Sequence, residues 1–157
     1  MSLTIERCTD PEVLVEPHRE AIAEAYAGYF DTPFPSDETL RDEWRTLLDA
    51  GATVLLARLH GRPVGTVAAR VVDGEGWLAR LYVHPEAQGR GVGRALMAAA
   101  LAVLREQGCR RANLWVLAVH QPAIEIYRHW GWRPADTEPH APFGLPELRF
   151  CLPLTGA

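Results

Sequence analysis

Between Leu81 and Leu96 the chain reads "LYVHPEAQGRGVGRAL": a strand-like apolar triplet, a proline turn, glycines at 89, 91 and 93, then at once a helical period. Glycine loses more backbone freedom on folding than any other residue, so three at a strand-to-helix junction need a reason. The helix that follows is the clearest periodic segment of the sequence. Val92, Ala95, Leu96, Ala99, Ala100, Val103 and Leu104 fall at offsets 0, 3, 4, 7, 8, 11 and 12, and Gly108 supplies the stop. A helix start exposes up to four unpaired backbone N–H groups and the equivalent of about +0.5 charge, both of which suit phosphate oxygens. Bare glycines at 89, 91 and 93 let that backbone approach a bulky ligand, and Arg90 and Arg94 add positive charge beside it. Two readings follow: a cradle for a diphosphate, or a turn that only permits tight strand–helix packing.

The rest of the chain sets this junction in a mixed sheet. "LTIER" (3–7) alternates as a strand, and "PEVLVEPHREAIAEAYAGYF" (11–30) turns helical from Pro17 onward, with Ala21, Ile22, Ala25, Tyr26 and Tyr29 at 3–4 spacing. "DTPFPSDETL" (31–40) is a breaker-rich loop, and Ser36 caps a second helix whose stripe is Leu40, Trp44, Leu47 and Leu48. Residues 52–83 change period and give three strands, 53–59, 63–72 and 76–83, joined at "HGRP" and "DGEG" as an antiparallel meander. After the glycine-led helix come a strand at 111–119, a short helix from Pro122 to before Gly131, and late strands in "WRPAD" and "LPELRFCLPL". That order predicts an α/β fold, a mixed sheet with helices on its faces.

Composition narrows the function classes. The 157 residues fit one domain, 48% hydrophobic and 23% charged, as in a soluble globular protein. A net charge of −4 argues against nucleic acid as partner. All 16 basic residues are arginine, so neither a Schiff-base lysine nor a P-loop lysine is available. Cys8, Cys109 and Cys151 form no C-x-x-C, so no zinc ribbon or thioredoxin-like site is expected and a reducing cytoplasm is the natural setting. The N-terminus lacks a signal-peptide run, and no window approaches the ~20 apolar residues of a membrane span. His18, His60, His129 and His140 have no metal-ligand spacing and are expected at turns or on the surface, with no metal bound.

Two phosphate motifs fail against the glycine stretch. A P-loop needs G-K-[ST]; a Rossmann G-x-G-x-x-G/A meets Arg94 or Leu96 at its third position and lacks the acidic residue ~20 positions on. Instead "Q88-G-R-G-V-G93" resembles the Q/R-x-x-G-x-G/A acyl-CoA signature of the GNAT superfamily of acyl-CoA N-acyltransferases. "LYVHP" resembles that family's strand-and-proline entry. "HQPAIEIYRHWGW" (120–132) resembles its N-x-x-A-x-x-x-Y-x-x-x-G-F segment, with Ala123, Tyr127 and Gly131 in register, Trp132 replacing Phe and His120 replacing Asn. The likeness covers roughly 53–152, and 1–50 only in element order.

The resemblance implies one GNAT-type domain over 1–157, with 1–50 as an acceptor-side helical arm and 53–152 as an acyl-CoA-binding core. It implies a mostly antiparallel sheet of about seven strands flanked by about four helices. Acetyl-CoA would be the co-substrate. The backbone at Leu81, Tyr82 and Val83 would pair with the pantetheine arm between splayed strands 76–83 and 111–119. Gln88, Gly89, Arg90, Gly91, Val92, Gly93 and Arg94 would hold the pyrophosphate. His120 would be a substitute cofactor contact or the general base. Late strands in this family often form dimers, but "PELRFCLPL" carries no signal that decides on a homodimer.

Amine acylation needs a neutral amine, a donor for the oxyanion and a proton for the departing thiolate. Tyr127 is the candidate general acid, because helical side chains lean toward the N-terminus and so toward the helix entrance. The backbone N–H near Val83 would be the oxyanion donor by the same resemblance. A base is missing: "WLARLYV" carries no glutamate, and Trp115 stands where relatives that acetylate protein N-termini carry one. Glu75 and Asp73 read as a solvated turn, which leaves water, with Glu24 or Asp31 as partner. The acceptor site is expected in "AYAGYFDTPFPSDE" (25–38), whose aromatics and acids suit an apolar or cationic small-molecule amine. The competing readings are an acyl-CoA sensor or scaffold without catalysis, and transfer to a protein or peptide amine.

Overall fold

The computed structural model of the chain describes residues 2–29, 33–142 and 144–154. The strands are β1 (Leu3–Arg7), β2 (Thr53–Leu59), β3 (Arg62–Val72), β4 (Glu75–Val83), β5 (Arg111–Leu117), β6 (Arg133–Pro134) and β7 (Glu147–Pro153). The helices are α1 (Pro11–Ala25), α2 (Asp37–Asp49), α3 (Val92–Glu106) and α4 (Gln121–His129). One sheet runs β1-β2-β3-β4-β5-β7-β6, antiparallel at every junction except β4–β5. The mixed α/β architecture expected from the sequence is the one observed.

The meander forms because His60-Gly61 and Asp73-Gly74 supply two-residue turns with both φ positive, the geometry whose twist matches paired strands. The central strands are covered on both faces, which explains the unbroken apolar run of β2. Leu55, Ala57, Val67 and Ala69 pack under Val92, Leu96, Ala100 and Leu104 of α3. Val54, Leu56 and Ala68 face Leu14 of α1 and Trp44 of α2.

Helix α1 begins six residues before the expected Pro17. Asp10 caps it by accepting from the Glu12 N–H at 3.0 Å, and Pro11 occupies its first turn, a stronger start signal than an internal proline. Pro17 lies buried within the helix. Two further differences are at element ends. Helix α1 stops at Ala25, with Tyr26 as its C-cap bonding Ile22 and Tyr29 in the turn beyond, where the 3–4 spacing carried the helix through Tyr29. Strand β5 stops at Leu117 as the chain turns through the His120 N–H to Leu117 carbonyl bond at 3.0 Å.

Strands β4 and β5 pair only at Gly76↔Ala112 and Trp77↔Asn113, then diverge. Glu75 cross-links the closed end: its Oε1 accepts from Arg111 Nε at 2.7 Å, from Asn113 Nδ2 at 3.1 Å and from Arg149 Nη2 at 3.4 Å. The hydrogen bond from Arg111 is the main reason its carboxyl titrates below the usual range. Glu75 is therefore a tie between β4, β5 and β7, not the solvated turn its neighbours Asp73 and Gly74 imply.

His18 corrects another expectation. It sits in α1, only 1% exposed. Its ring stacks on Tyr82 at 4.6 Å, and its Nδ1 accepts from the Trp44 indole N–H at 3.0 Å. Burial, and then the charge of Arg80, push its pKa from 6.5 down to about 3. The unfolded chain therefore takes up a proton that the folded chain refuses, so stability is lost as pH falls from 6.5 toward 3, by up to about 1.4 kcal/mol per unit. The melting temperature is expected to fall between pH 7 and pH 5. It should fall less steeply in His18→Asn, which keeps an acceptor for Trp44 but cannot titrate; parallel curves for the two proteins would refute the assignment.

Candidate active site

From Leu78 onward the β5-facing edge of β4 has no strand partner, because β5 has already diverged. At the end of β4 the His84 N–H bonds the Val64 carbonyl at 2.7 Å, and a single 3-10 turn, Pro85–Ala87, leads toward α3. Gly91 is the N-cap of α3 in a left-handed conformation, φ 80°, and makes no side-chain cap. Gly89 also has a positive φ, 76°. Both conformations strain any side-chain-bearing residue. Gly93 serves differently: a Cβ there would lie 3.5 Å from Val83 Cγ2 and 3.8 Å from the Trp130 ring, so its missing side chain leaves space between β4 and α4.

That space is part of a cleft of about 510 Å³ between the end of β4, the start of α3 and the start of α4. Of the site residues expected from the sequence, all but Arg90 line it: Leu81, Tyr82, Val83, Gln88, Gly89, Gly91, Val92, Gly93, Arg94, His120 and Tyr127. Arg90 is exposed. A free strand edge and a helix N-terminus open to the same cleft, with a bare glycine between them, fit an extended ligand that ends in phosphates.

Tyr127 lies one and a half turns into α4 and is half-buried. Trp130 and Trp132 meet its ring edge-on at 6.2 and 6.3 Å. Burial, and then Tyr82, push its pKa up to about 12, so the hydroxyl keeps its proton at neutral pH. His120 is the N-cap of α4: its Nδ1 accepts from the Ala123 N–H at 3.1 Å. In the neutral ring the proton then sits on Nε2, and no nitrogen lone pair is free. That bonding leaves His120 as a cap and a wall of the cleft, and argues against it as a base. Tyr26 and Tyr29 stand over its ring, each at 5.7 Å.

No carboxylate lines the cleft among the described residues. Glu24 is exposed on α1, and Asp31 lies outside the described residues. A second cavity, about 350 Å³, opens on the other side of Tyr82 and is bounded by His18, Ile22, Tyr26, Phe34, Leu40, Glu43 and Arg80. Arg80 Nη2 donates to Glu43 Oε1 there at 2.9 Å. The sequence pointed to this region through Tyr26 and Phe34 but gave no role to His18, Glu43 or Arg80. Glu43 sits beside the core residue Trp44 on the edge of a stripe, and the kink that presents Arg80 has no local signature. Among the described residues no group of His, Cys, Asp and Glu could hold a metal, and no helix is long and apolar enough to cross a membrane.

Residues 19–132 match the family model described as the acetyltransferase (GNAT) family. A mycothiol acetyltransferase of Saccharomonospora viridis is 32% identical over 129 residues, which cover 82% of this chain but 37% of that protein. The aminoglycoside N(6')-acetyltransferase type 1 of Stenotrophomonas maltophilia is 40% identical over 85 residues, covering 48% of this chain and 56% of that one. The chain thus spans between a third and just over a half of the length of these two relatives. In architecture it is similar to the PaiA N-acetyltransferase of Thermoplasma acidophilum, solved with coenzyme A: the TM-score is 0.77 at 20% identity, covering 95% of this chain and 98% of that one. With the family model spanning most of its length, from α1 through α4, this chain belongs to the acetyltransferase (GNAT) family.

Proposed function

We propose that the chain is an N-acetyltransferase that moves an acetyl group from acetyl-CoA to a primary amine of a small molecule by direct attack in a ternary complex. The observation that carries this reading is the cleft itself, in which the unpaired edge of β4, the glycine-led start of α3 and Tyr127 face one space. Acetyl-CoA bound there supplies an activated thioester. The edge at Leu81–Val83 would take the pantetheine arm as an added strand, and the N–H groups from Gly89 to Arg94 would hold the pyrophosphate. A backbone N–H near Val83 would donate to the carbonyl oxygen as negative charge builds on it. The new N–C bond forms as the C–S bond breaks; Tyr127 Oη gives its proton to the sulfur, and water takes the proton of the amine. Small-molecule acceptors are supported by relatives named for mycothiol and for aminoglycosides, and by a second cavity of only about 350 Å³.

Two measurements test this. Calorimetric titration with acetyl-CoA should give micromolar binding, weakened at least tenfold in Gly93→Val, whose side chain would fill the gap between Val83 and Trp130. Unchanged affinity in the variant would mean the glycines serve packing alone. In a thiol-release assay, Tyr127→Phe should lower kcat by about 10²–10⁴ while the affinity for acetyl-CoA stays the same. Because the hydroxyl titrates only near 12, the wild-type rate should show no alkaline decline up to about pH 10; a descending limb near pH 8, absent in Tyr127→Phe, would contradict the high pKa.

A further inference from the structure

Three described residues other than glycine have positive φ: His60 at 52°, Asp73 at 51° and Arg80 at 58°. The first two belong to hairpin turns that need that geometry. Arg80 lies inside β4, at the irregularity where the register with β3 shifts between Thr66 and Ala68. Thr66 Oγ1 donates to the Arg80 carbonyl at 2.9 Å and pins the kink. Glycine would adopt this conformation without strain, so an arginine here needs a use for its side chain. The guanidinium reaches α2, where Nη2 meets Glu43 Oε1 at 2.9 Å, and together they form one end of the second cavity. Its other walls include the rings of His18, Tyr26, Phe34 and Tyr82.

The polar groups that face this cavity are weighted toward donors. His18 Nδ1 is occupied by Trp44, so its ring N–H is on Nε2. Arg80 carries five N–H groups in a planar fork; the Glu43 carboxylate accepts from one, and the guanidinium also bonds the Tyr82 hydroxyl. Arg80 lowers the pKa of His18, second only to burial. Burial raises the Tyr82 hydroxyl, and there the lowering by Arg80 outweighs the raising by Glu43. Tyr82 lines both this cavity and the cleft, so a molecule seated against Arg80 would lie one side chain away from the space that Val83 and Tyr127 line.

We propose that Arg80 selects the acceptor by binding a carboxylate, so that the substrate is an amine that also carries a carboxylate beside an apolar or aromatic group. This rests on the transferase reading, since it takes the second cavity as the acceptor's. The guanidinium holds the carboxylate through the N–H groups that Glu43 and Tyr82 leave unused, and the aromatic walls take the apolar part.

The test separates binding from turnover. N-acetylphenylalanine and N-acetylphenylalaninamide, which differ only in the carboxylate, are titrated in the presence of coenzyme A into the wild type, Arg80→Gly and Glu43→Gln. The wild type should bind the acid at least tenfold more tightly than the amide. Arg80→Gly, which also relieves the positive φ, should bring the ratio close to one, and Glu43→Gln, which frees the fork, should keep or raise it. Equal binding of acid and amide, or of neither, by the wild type overturns the proposal. So does a ratio that neither variant moves, the mark of an ion pair that only braces α2. In thiol release, equal use of phenylalanine and phenylalaninamide overturns the carboxylate site and leaves the transferase standing. A binding ratio that behaves as expected, with no thiol released by either amine or by a broad amine panel, keeps the carboxylate site and removes the transferase reading.

Discussion

Everything on the cleft side depends on β4 and β5 being joined at one end only. Two parallel residue pairs hold them, and hydrogen bonding so short would not by itself fix an angle between strands. The Glu75 carboxylate supplies the missing constraint, since it takes donors from both β5 and β7 at the vertex. A layer above it adds to the lock: Trp77 and Trp115 stack across the junction at 5.9 Å, and the Arg149 guanidinium lies 5.4 Å from the Trp77 ring. Each arm of the V is stiff because each is laddered on its outer side, β4 to β3 and β5 along its length to β7. The opening between them is therefore part of the sheet's design and exposes a strand edge that a globular protein would otherwise cover.

The glycine junction works because its three residues do different things. Gly89 and Gly91 turn the chain through left-handed conformations so that α3 starts directly after a tight loop. Gly93 has no need of that freedom and serves by leaving the approach between Val83 and Trp130 empty. The helix it opens is anchored by Leu96, Ala100 and Leu104 against β2, β3 and β4. The N–H groups at its start are thus held by the core and do not need ordering when a ligand arrives, the condition under which a polar site binds with least entropic cost.

Period and punctuation carried most of the fold. The 3.6-residue stripe of α3, the two-residue turns of the meander and the Ser36 cap each act over a few neighbouring residues, and each appears where its pattern falls. That Leu81–Val83 and most of Gln88–Arg94 would line one cleft was readable for the same reason, because they come from one continuous segment. What escaped was set by partners distant in sequence. His18 is neutral and buried because Trp44, 26 residues on, supplies a hydrogen bond and Tyr82 a stacking face. Glu75 looks like a turn residue until Arg111 and Arg149 are brought to it. Pro17 misled because a proline normally marks a helix start, while Asp10-Pro11 had already given that signal.

The absence of a carboxylate from the lining of the cleft, among the described residues, bears on how an amine would lose its proton. In water an amine of pKa near ~10 is neutral about once in a thousand at pH 7. A side-chain base would raise that fraction by accepting the proton, but burial does so too, because leaving water disfavours the charged form. In the second cavity, the one proposed for the acceptor, the walls include Ile22, Leu40 and the rings of Tyr26, Phe34 and Tyr82, and the Glu43 carboxylate there already accepts from Arg80. The same apolar burial that raises the Tyr127 hydroxyl, keeping it a proton donor, would lower the pKa of an ammonium group placed opposite it. In the proposed mechanism, apolar surroundings would thus favour both protonation states that acyl transfer requires, the acid with its proton and the amine without one, and would ease the demand on a base.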